Sequence, residues 1–518
     1  MYAQVLGASV IGIEGVLITV EADISNGLPQ MSLVGLPDSA IRESAERVRS
    51  AIRNSGFVFP MSRITVNLAP ADLRKEGSAF DLSIAGAILT ASAQLPCTAF
   101  HNSLLIGELA LNGELRPVPG VLPMVEQAYK RGLSRVILPY GNAAEASLIS
   151  GIDVYAIRHL NELAAWRDDG QWRSFLYSRG CNDEQLECNR SISEDQTLLD
   201  YGDVLGLHGA KRALLIAAAG GHNVMLSGPP GTGKTMLAKR LPTILPPLSD
   251  EEALEVTKIY SVAGKLGHSP SSLIRSRPFR APHHTISAGG LIGGGTIPRP
   301  GEATLAHRGV LFLDELPEFT RSSLEVLRQP LEDRQVTIAR TRAVVRFPAR
   351  FMLVASMNPC PCGYYGYDSI DRSCSCSDTA VVRYHSKISG PLVDRIDLML
   401  EVPRPSSLNS ARRGMTSSEM LTAVMAAVER QQHRAADTGV LWNGELSGVA
   451  LHRAASLSTD AAKLLRQAFD SLGISFRAHD RLLRLARTIA DVESSSEIRG
   501  EHMSEAIQYR RVGDTTNR

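Results

Sequence analysis

Long apolar runs are missing from this chain. Stretches such as Ala213–Ala219 fall far short of the ~20 residues that a membrane-spanning helix needs, so no membrane anchor is expected. A basic segment ahead of the first apolar residues is missing too. MYAQVLGASVIGIEG soon meets Glu14, Glu21 and Asp23, which is unlike a secretory signal, and a cytoplasmic location is expected. Net charge is nearly absent, at +1 over 518 residues, which removes any global pull toward nucleic acid and leaves such contacts to local basic patches. Seven cysteines in a chain expected to be cytosolic argue against a disulfide framework. No internal repeat is visible. What is present, 44% hydrophobic and 21% charged residues, describes a soluble globular protein too long for one core.

Residues 1–165 alternate β-rich runs (Ser62–Leu68, Arg135–Leu138) with helical ones (Ser39–Ser55, Met124–Arg131), predicting an α/β domain. Residues 166–198 turn polar and aperiodic and read as a linker. A second α/β unit is expected over 199–405, then a second linker over 406–418. Beyond it, 419–511 carries helical periodicity without strands, and 512–518 forms a tail.

The chemistry begins at Asn223–Leu226, a short apolar run followed by Gly228, Pro229, Pro230, Gly231, Thr232, Gly233, Lys234 and Thr235, then helical Met236–Leu241. This is G-x-x-x-x-G-K-[ST] between a strand and a helix, the context in which the motif cradles phosphate. The glycines let backbone N–H groups turn inward, and the start of the helix adds partial positive charge. Lys234 would reach the β- and γ-phosphates of ATP, and the Thr235 hydroxyl would ligate Mg²⁺. Downstream, Gly309–Leu313 reads as a buried parallel strand ending in Asp314 and Glu315, and such strand ends are where ligands bind in open α/β sheets. Asp314 would hold the Mg²⁺ through water, and Glu315 would polarise the attacking water. A third strand, Arg350–Ser356, leads to Asn358. Its amide can touch the γ-phosphate, although asparagine also ends strands simply as a turn former. Hydrolysis further needs positive charge on the transferring phosphoryl group. Arg395, just before another apolar strand, is the candidate; a salt bridge to Asp394 or Asp397 is its alternative use.

With Asp203–Ala213 ahead of the phosphate loop, and LFLDELPEF, LRQPLEDR and SMNPCPCG after it, nearly the whole chain resembles the Mg-chelatase-like AAA+ ATPases. The resemblance implies an AAA+ α/β core with a helical lid, assembling into a homo-oligomeric ring expected as a hexamer. It also implies a DNA helicase that drives branch migration in homologous recombination of incoming DNA during natural transformation, with single-stranded and branched DNA as partners. By the same resemblance Arg395 completes a neighbour's active site, Arg477 is the second sensor arginine on the lid, and Val204 and Gly206 lie against the adenine. Two arginine-bearing inserts, 277–299 and 335–346, resemble pore hairpins of related helicases. In the second, Arg340, Arg342 and Arg346 are followed by no acidic residue until Asp368, which suits phosphate contact. Two readings of other classes stay open: a metal-insertion motor like the magnesium chelatase subunit, and a protein remodeller.

Cys360, Cys362, Cys374 and Cys376 place four soft thiolates on two short knuckles within 360–376, a pattern that fits structural Zn²⁺. In the first domain, Arg63–Ile84 and Leu105–Pro139 resemble the Lon-type protease domain (ribosomal S5 domain 2-like). That chemistry needs a serine and a lysine base. Ala79 stands where the nucleophile belongs, beside Ser78, and Leu122 stands where the base belongs, with no lysine between Lys75 and Lys130. Proteolysis is therefore not expected.

Overall fold

The structure, a computed structural model of the chain, describes all residues other than 74, 76, 168–169, 179–198, 268–271, 296–297, 341–342, 368–372, 404–413, 473–474 and 515–518. The chain divides into two compact units, Met1–Asn189 with Ala253–Ile274 and Arg190–Glu252 with Arg275–Arg518.

The first unit is built on a seven-stranded sheet in the order Gln30–Val34, Arg63–Ala69, Glu14–Ser25, Tyr2–Ile11, Ser103–Leu105, Arg135–Pro139, Asp153–Ile157. Side chains alternate across its faces as the strand period requires. Val5, Val20 and Val66 join one core, into which Ile41, Phe80 and Ile84 pack from helices Ser39–Asn54 and Asp81–Ala91 and the residue before the latter. Ala8, Leu104 and Val136 join another, closed by Leu122, Val125 and Ala143 from helices Val121–Lys130 and Tyr140–Ala146.

Ala253–Ile274, inside the segment expected to be ATPase core, groups with this first unit. Its side chains explain why. Lys258, only 8% exposed, is ion-paired to Glu14 at 3.1 Å and Glu126 at 2.8 Å. Such a buried amine is tolerable only with partners. The Ser261 carbonyl accepts from the Gly120 N–H at 3.1 Å, and its hydroxyl donates to Glu145. The stretch from 166, expected as linker, also begins as part of the fold. Trp166 stacks on Trp172 and Phe175 at ring separations of 6.4 and 5.9 Å, and Tyr155 meets Trp172 edge-on at 5.1 Å. Aromatic burial outweighs the polar composition there. Residues 179–198, and 406–413 of the second expected linker, lie outside the described residues.

The second unit carries a five-stranded, all-parallel sheet in the order Phe279–Arg280, Val310–Leu313, Met352–Met357, Val224–Ser227, Leu398–Glu401. Its inner strands are apolar along their length and buried, as a parallel sheet covered on both faces demands. Parallel pairing has a direct consequence: Gly228, Asp314 and Asn358, which follow three adjacent strands, emerge at one edge. Helices Ser417–Thr438, Gly448–Ala454, Thr459–Leu472, Phe476–Val492 and Gly500–Asp514 share a core with His208–Gly220. The first starts on a Thr416–Glu419 capping box. A buried Asp491, held by Arg434 and by Arg487 at 3.0 Å, ties Ser417–Thr438 to Phe476–Val492. Among the described residues no helix is long and apolar enough to cross a membrane.

Candidate functional site

The residues 228–235 form a tight turn between strand Val224–Ser227 and helix Lys234–Arg240. Gly231 and Gly233 take φ of +78° and +90°, a region open to glycine, while a side chain at Gly228 would strike the Val402 carbonyl at 2.3 Å. The Thr232 hydroxyl pins the turn to the Pro229 carbonyl at 3.0 Å. Lys234 is 8% exposed, and its ammonium donates to the Gly228 carbonyl at 2.6 Å, the Pro229 carbonyl at 2.9 Å and Asn358 Oδ1 at 3.1 Å. Burial lowers its pKa below the usual lysine value, while Asp314 and Glu315 pull it back up. Thr235 Oγ1 donates to Asp314 Oδ2 at 2.9 Å, and Ser356 donates to the other carboxylate oxygen. The two side chains expected to serve Mg²⁺ thus touch each other, and both are the hard oxygen donors that ion prefers. Glu315 sits at φ +53° with a half-exposed side chain, its N–H donating to Asp314 and Ser356.

Val204 is buried, and Lys211 holds the Tyr201 and Val204 carbonyls at 2.7 and 2.6 Å. Gly206 and Leu207 both have positive φ, and Leu207 Cδ1 lies 3.9 Å from where a side chain at Gly233 would begin. The segment assigned to adenine therefore borders the phosphate loop.

Arg395 and Arg477 are elsewhere. Arg395 precedes the strand Leu398–Glu401, and its carbonyl accepts from Asn223 Nδ2 at 2.9 Å, ahead of Val224–Ser227. That is the opposite end of the parallel strands from Lys234. With Arg477, Arg481 and Arg484 it lines a cleft of about 430 Å³ that includes none of residues 228–235, 314, 315 or 358. Neither neighbouring acid takes Arg395; Glu332 does. Asp394 binds Arg481 and Arg510, while Asp397 faces His222 and the Asn223 N–H.

Among the residues expected to meet DNA, Arg342 lies outside the described residues and nothing is described of the Arg340 side chain. Gln335–Arg340 and Ala343–Pro348 do pair as an antiparallel hairpin. Val336, Ile338, Val345 and Phe347 face inward, and Arg346 is exposed on the outer side. The 277–299 insert offers less positive charge than its composition suggests. Arg277 is buried against the Pro246 and Arg308 carbonyls, and Arg280 is clasped by Glu302 at 2.6 and 2.9 Å. The insert also brings His284 Nδ1 to 3.9 Å from Glu315 Oε2, a proximity no local motif signals.

The four cysteines converge. Cys360, Cys362 and Cys374 sulfurs are separated by 3.2, 3.8 and 3.6 Å, and all four lie within 4.8 Å of one another. Zn–S bonds of about 2.3 Å would space tetrahedral thiolates roughly 3.8 Å apart, so the set fits that ion. The N–H groups of Gly363 and Tyr365 donate to Cys360 Sγ at 3.2 and 3.3 Å. Contacts led by the Tyr364 N–H lower the Cys362 thiol pKa, while at Cys374 and Cys376 a backbone N–H contact is outweighed by burial and the neighbouring sulfurs, which raise it, so without an ion the cluster favours a single thiolate. Gly363, at φ +89°, lies so close to the phosphate loop that a side chain there would meet Pro230 Cδ at 2.6 Å.

In the first unit, Ser78 donates to the Glu108 carboxylate, Ala79 is buried, and Leu122 is fully buried.

Three family models match successive stretches: magnesium chelatase, subunit ChlI, over 200–409; subunit ChlI of Mg-chelatase over 20–142; and the ChlI C-terminal part over 414–510. The protein YifB of Salmonella typhimurium is 44% identical over 505 residues, spanning 97% of this chain and 96% of the relative. Competence protein ComM of Haemophilus influenzae is 43% identical over 512 residues, spanning 98% and 97%. Lon protease 2 of Bacillus subtilis is similar over a shorter part, 27% identical over 144 residues and 26% of each chain.

Proposed function

This chain belongs to the magnesium-chelatase (ChlI) family in the form typified by YifB and ComM, and from that premise we propose that it is a ring-forming AAA+ ATPase that moves along DNA in recombination. The observation that carries the ATPase reading is the grouping of Lys234, Thr235, Asp314 and Asn358 within hydrogen-bonding distance at one edge of the parallel sheet. Lys234 and the turn's backbone bind the ATP phosphates, Glu315 orients the attacking water, and Asn358 positions both. Thr235 and Asp314 would hold Mg²⁺, which when bound neutralises charge on the phosphate oxygens. Arg395 and Arg477, remote from Lys234 of their own chain, suit a nucleotide on a neighbouring subunit of a hexamer. The Lon-like first unit serves as scaffold rather than protease, since Ser78 has an acid where a lysine base would be needed.

The relative named for competence, matched end to end, favours DNA over a porphyrin or a polypeptide as what the motor acts on. The direct test is ATP turnover of the purified protein with and without single-stranded and branched DNA. Stimulation by DNA supports the reading. Turnover indifferent to DNA but raised by a polypeptide, or by a porphyrin-binding partner, would replace it with the remodeller or the metal-insertion motor.

The hairpin 335–346 is assigned to the DNA backbone. Arg340→Ala with Arg342→Ala should weaken binding about equally for every sequence, and each lost contact should flatten the slope of log affinity against log salt by roughly 0.7 to 0.9. Hydrolysis without DNA should persist. Unchanged affinity and slope would remove the hairpin from the DNA path.

The cysteine set is assigned to structural Zn²⁺. Native protein should carry about one zinc per chain, and Cys360→Ser with Cys374→Ser should loosen the segment after Asn358, read as faster amide exchange there. Clearly less than one zinc per chain in native material would refute the site.

A further inference from the structure

One ion pair in the arginine-lined cleft has a place in the mechanism that no local motif marks. Arg481 follows Arg477 by one turn on the helix Phe476–Val492, and its Nε donates to the Arg477 carbonyl at 3.1 Å. Its Nη2 meets Asp394 Oδ1 at 3.2 Å, and Asp394 immediately precedes Arg395. Arg510, from the helix Gly500–Asp514, reaches the same carboxylate oxygen at 3.5 Å. The Arg481 side chain is 5% exposed against a 40% exposed Asp394, and the Arg395 side chain is 11% exposed against a 53% exposed Glu332. A buried guanidinium is costly to strand without its partner, so the Asp394–Arg481 joint is fixed. The loop that carries Arg395 therefore has a root fixed at Asp394, which Arg481 and Arg510 hold from two helices, while Arg395 itself meets Glu332 and the Pro391 carbonyl. Arg481 Nη1 is buried, has no partner among the described residues, and belongs to the lining of the cleft that Arg395 and Arg477 share.

We propose that Arg481 is a positioning residue: through Asp394 it locks the Arg395 loop to the Arg477 helix, so that both arginines reach a neighbouring subunit's γ-phosphate as one unit. This rests on the reading that Arg395 acts in trans. Misplacing a group that must meet a transferring phosphoryl by about 1 Å costs on the order of 10²-fold in rate while leaving ground-state binding alone. The ATP contacts of the subunit's own phosphate loop do not involve Arg481.

The test is steady-state ATP hydrolysis by full-length Arg481→Met, with Asp394→Asn, nearly isosteric, as the second variant should the first lose its near-ultraviolet signal. Either should lower kcat by about 10²-fold with KM for ATP within about twofold. Each is then mixed with Lys234→Ala subunits, which have no working phosphate loop but intact arginines. The mixture should hydrolyse several-fold faster than the sum of the separate preparations, because working loops then meet working arms. A loss expressed in KM, or no gain on mixing, overturns the proposal. The control is Arg395→Ala mixed with Lys234→Ala. If that pair gains and the Arg481 pair does not, only the positioning role fails; if neither gains, the trans reading has failed and takes this proposal with it.

Discussion

Replacing Lys234 with alanine is expected to lower ATP hydrolysis by on the order of 10²–10³-fold or more and to weaken nucleotide binding. The ammonium is held by two carbonyls of its own turn and by Asn358, so it stands where the turn's N–H groups and the strand-end polar groups converge. Its removal leaves Asp314 and Glu315 without their nearest common cation, and phosphate charge arriving there would meet two carboxylates. The fold should survive. Leu237 and Ala238 remain in the core, and the Tyr201 hydroxyl still donates to the Leu237 carbonyl at 2.8 Å. Calorimetric titration with ATP and a coupled hydrolysis assay read the two effects. Turnover like that of the unaltered protein would defeat the nucleotide site as a whole.

Glu315→Gln should separate binding from chemistry. The side chain is 55% exposed and, among the described residues, its nearest ionisable partner contact is the 3.9 Å approach to His284, so its carboxylate is available to a water. The amide keeps the shape but accepts a proton poorly, and losing a general base of this kind typically costs 10²–10⁴-fold. Lys234, Thr235 and Asp314 are untouched, so ATP affinity should hold within about threefold and the assembled ring should accumulate with ATP bound. Size-exclusion chromatography with ATP, beside the hydrolysis rate, measures both. Normal hydrolysis by this variant would show that Glu315 is not the water-orienting group.

The parts of the site legible in the sequence are those fixed by a few consecutive residues. A strand, a glycine turn and Lys234-Thr235 specify one local conformation, and a buried run ending in Asp314 specifies a strand end. Parallel pairing then brings the ends together without further instruction. Contacts made by distant residues were not legible. The alternative use of Arg395, a salt bridge to a sequence neighbour, is not what the chain adopts: Asp394 is turned toward Arg481 and Asp397 toward His222, and Glu332 takes the arginine. Arg277 and Arg280 read as free basic charge because Glu252, Glu302 and the Pro246 carbonyl are remote in sequence or carry no composition signal. Ser356, bound to Asp314, ends an apolar run in which nothing marks its hydroxyl as the partner of a distant carboxylate. Gly363 takes its meaning from its closeness to Pro230, which is remote in sequence.

The return of Ala253–Ile274 to the first unit bears on the order in which the protein can be made. Synthesis runs from the N-terminus, and domains generally fold as they emerge. Here the partners of Glu14, Glu126 and Glu145, namely Lys258 and Ser261, leave the ribosome only after the phosphate loop has done so. The first unit must wait in an incomplete state while Arg190–Glu252 of the second is made. A gene fragment ending near residue 189 would encode a sheet and its helices but not the segment whose Lys258 pairs with Glu14 and Glu126 and whose Ser261 donates to Glu145, and one beginning near 199 would express that segment with nothing to receive it.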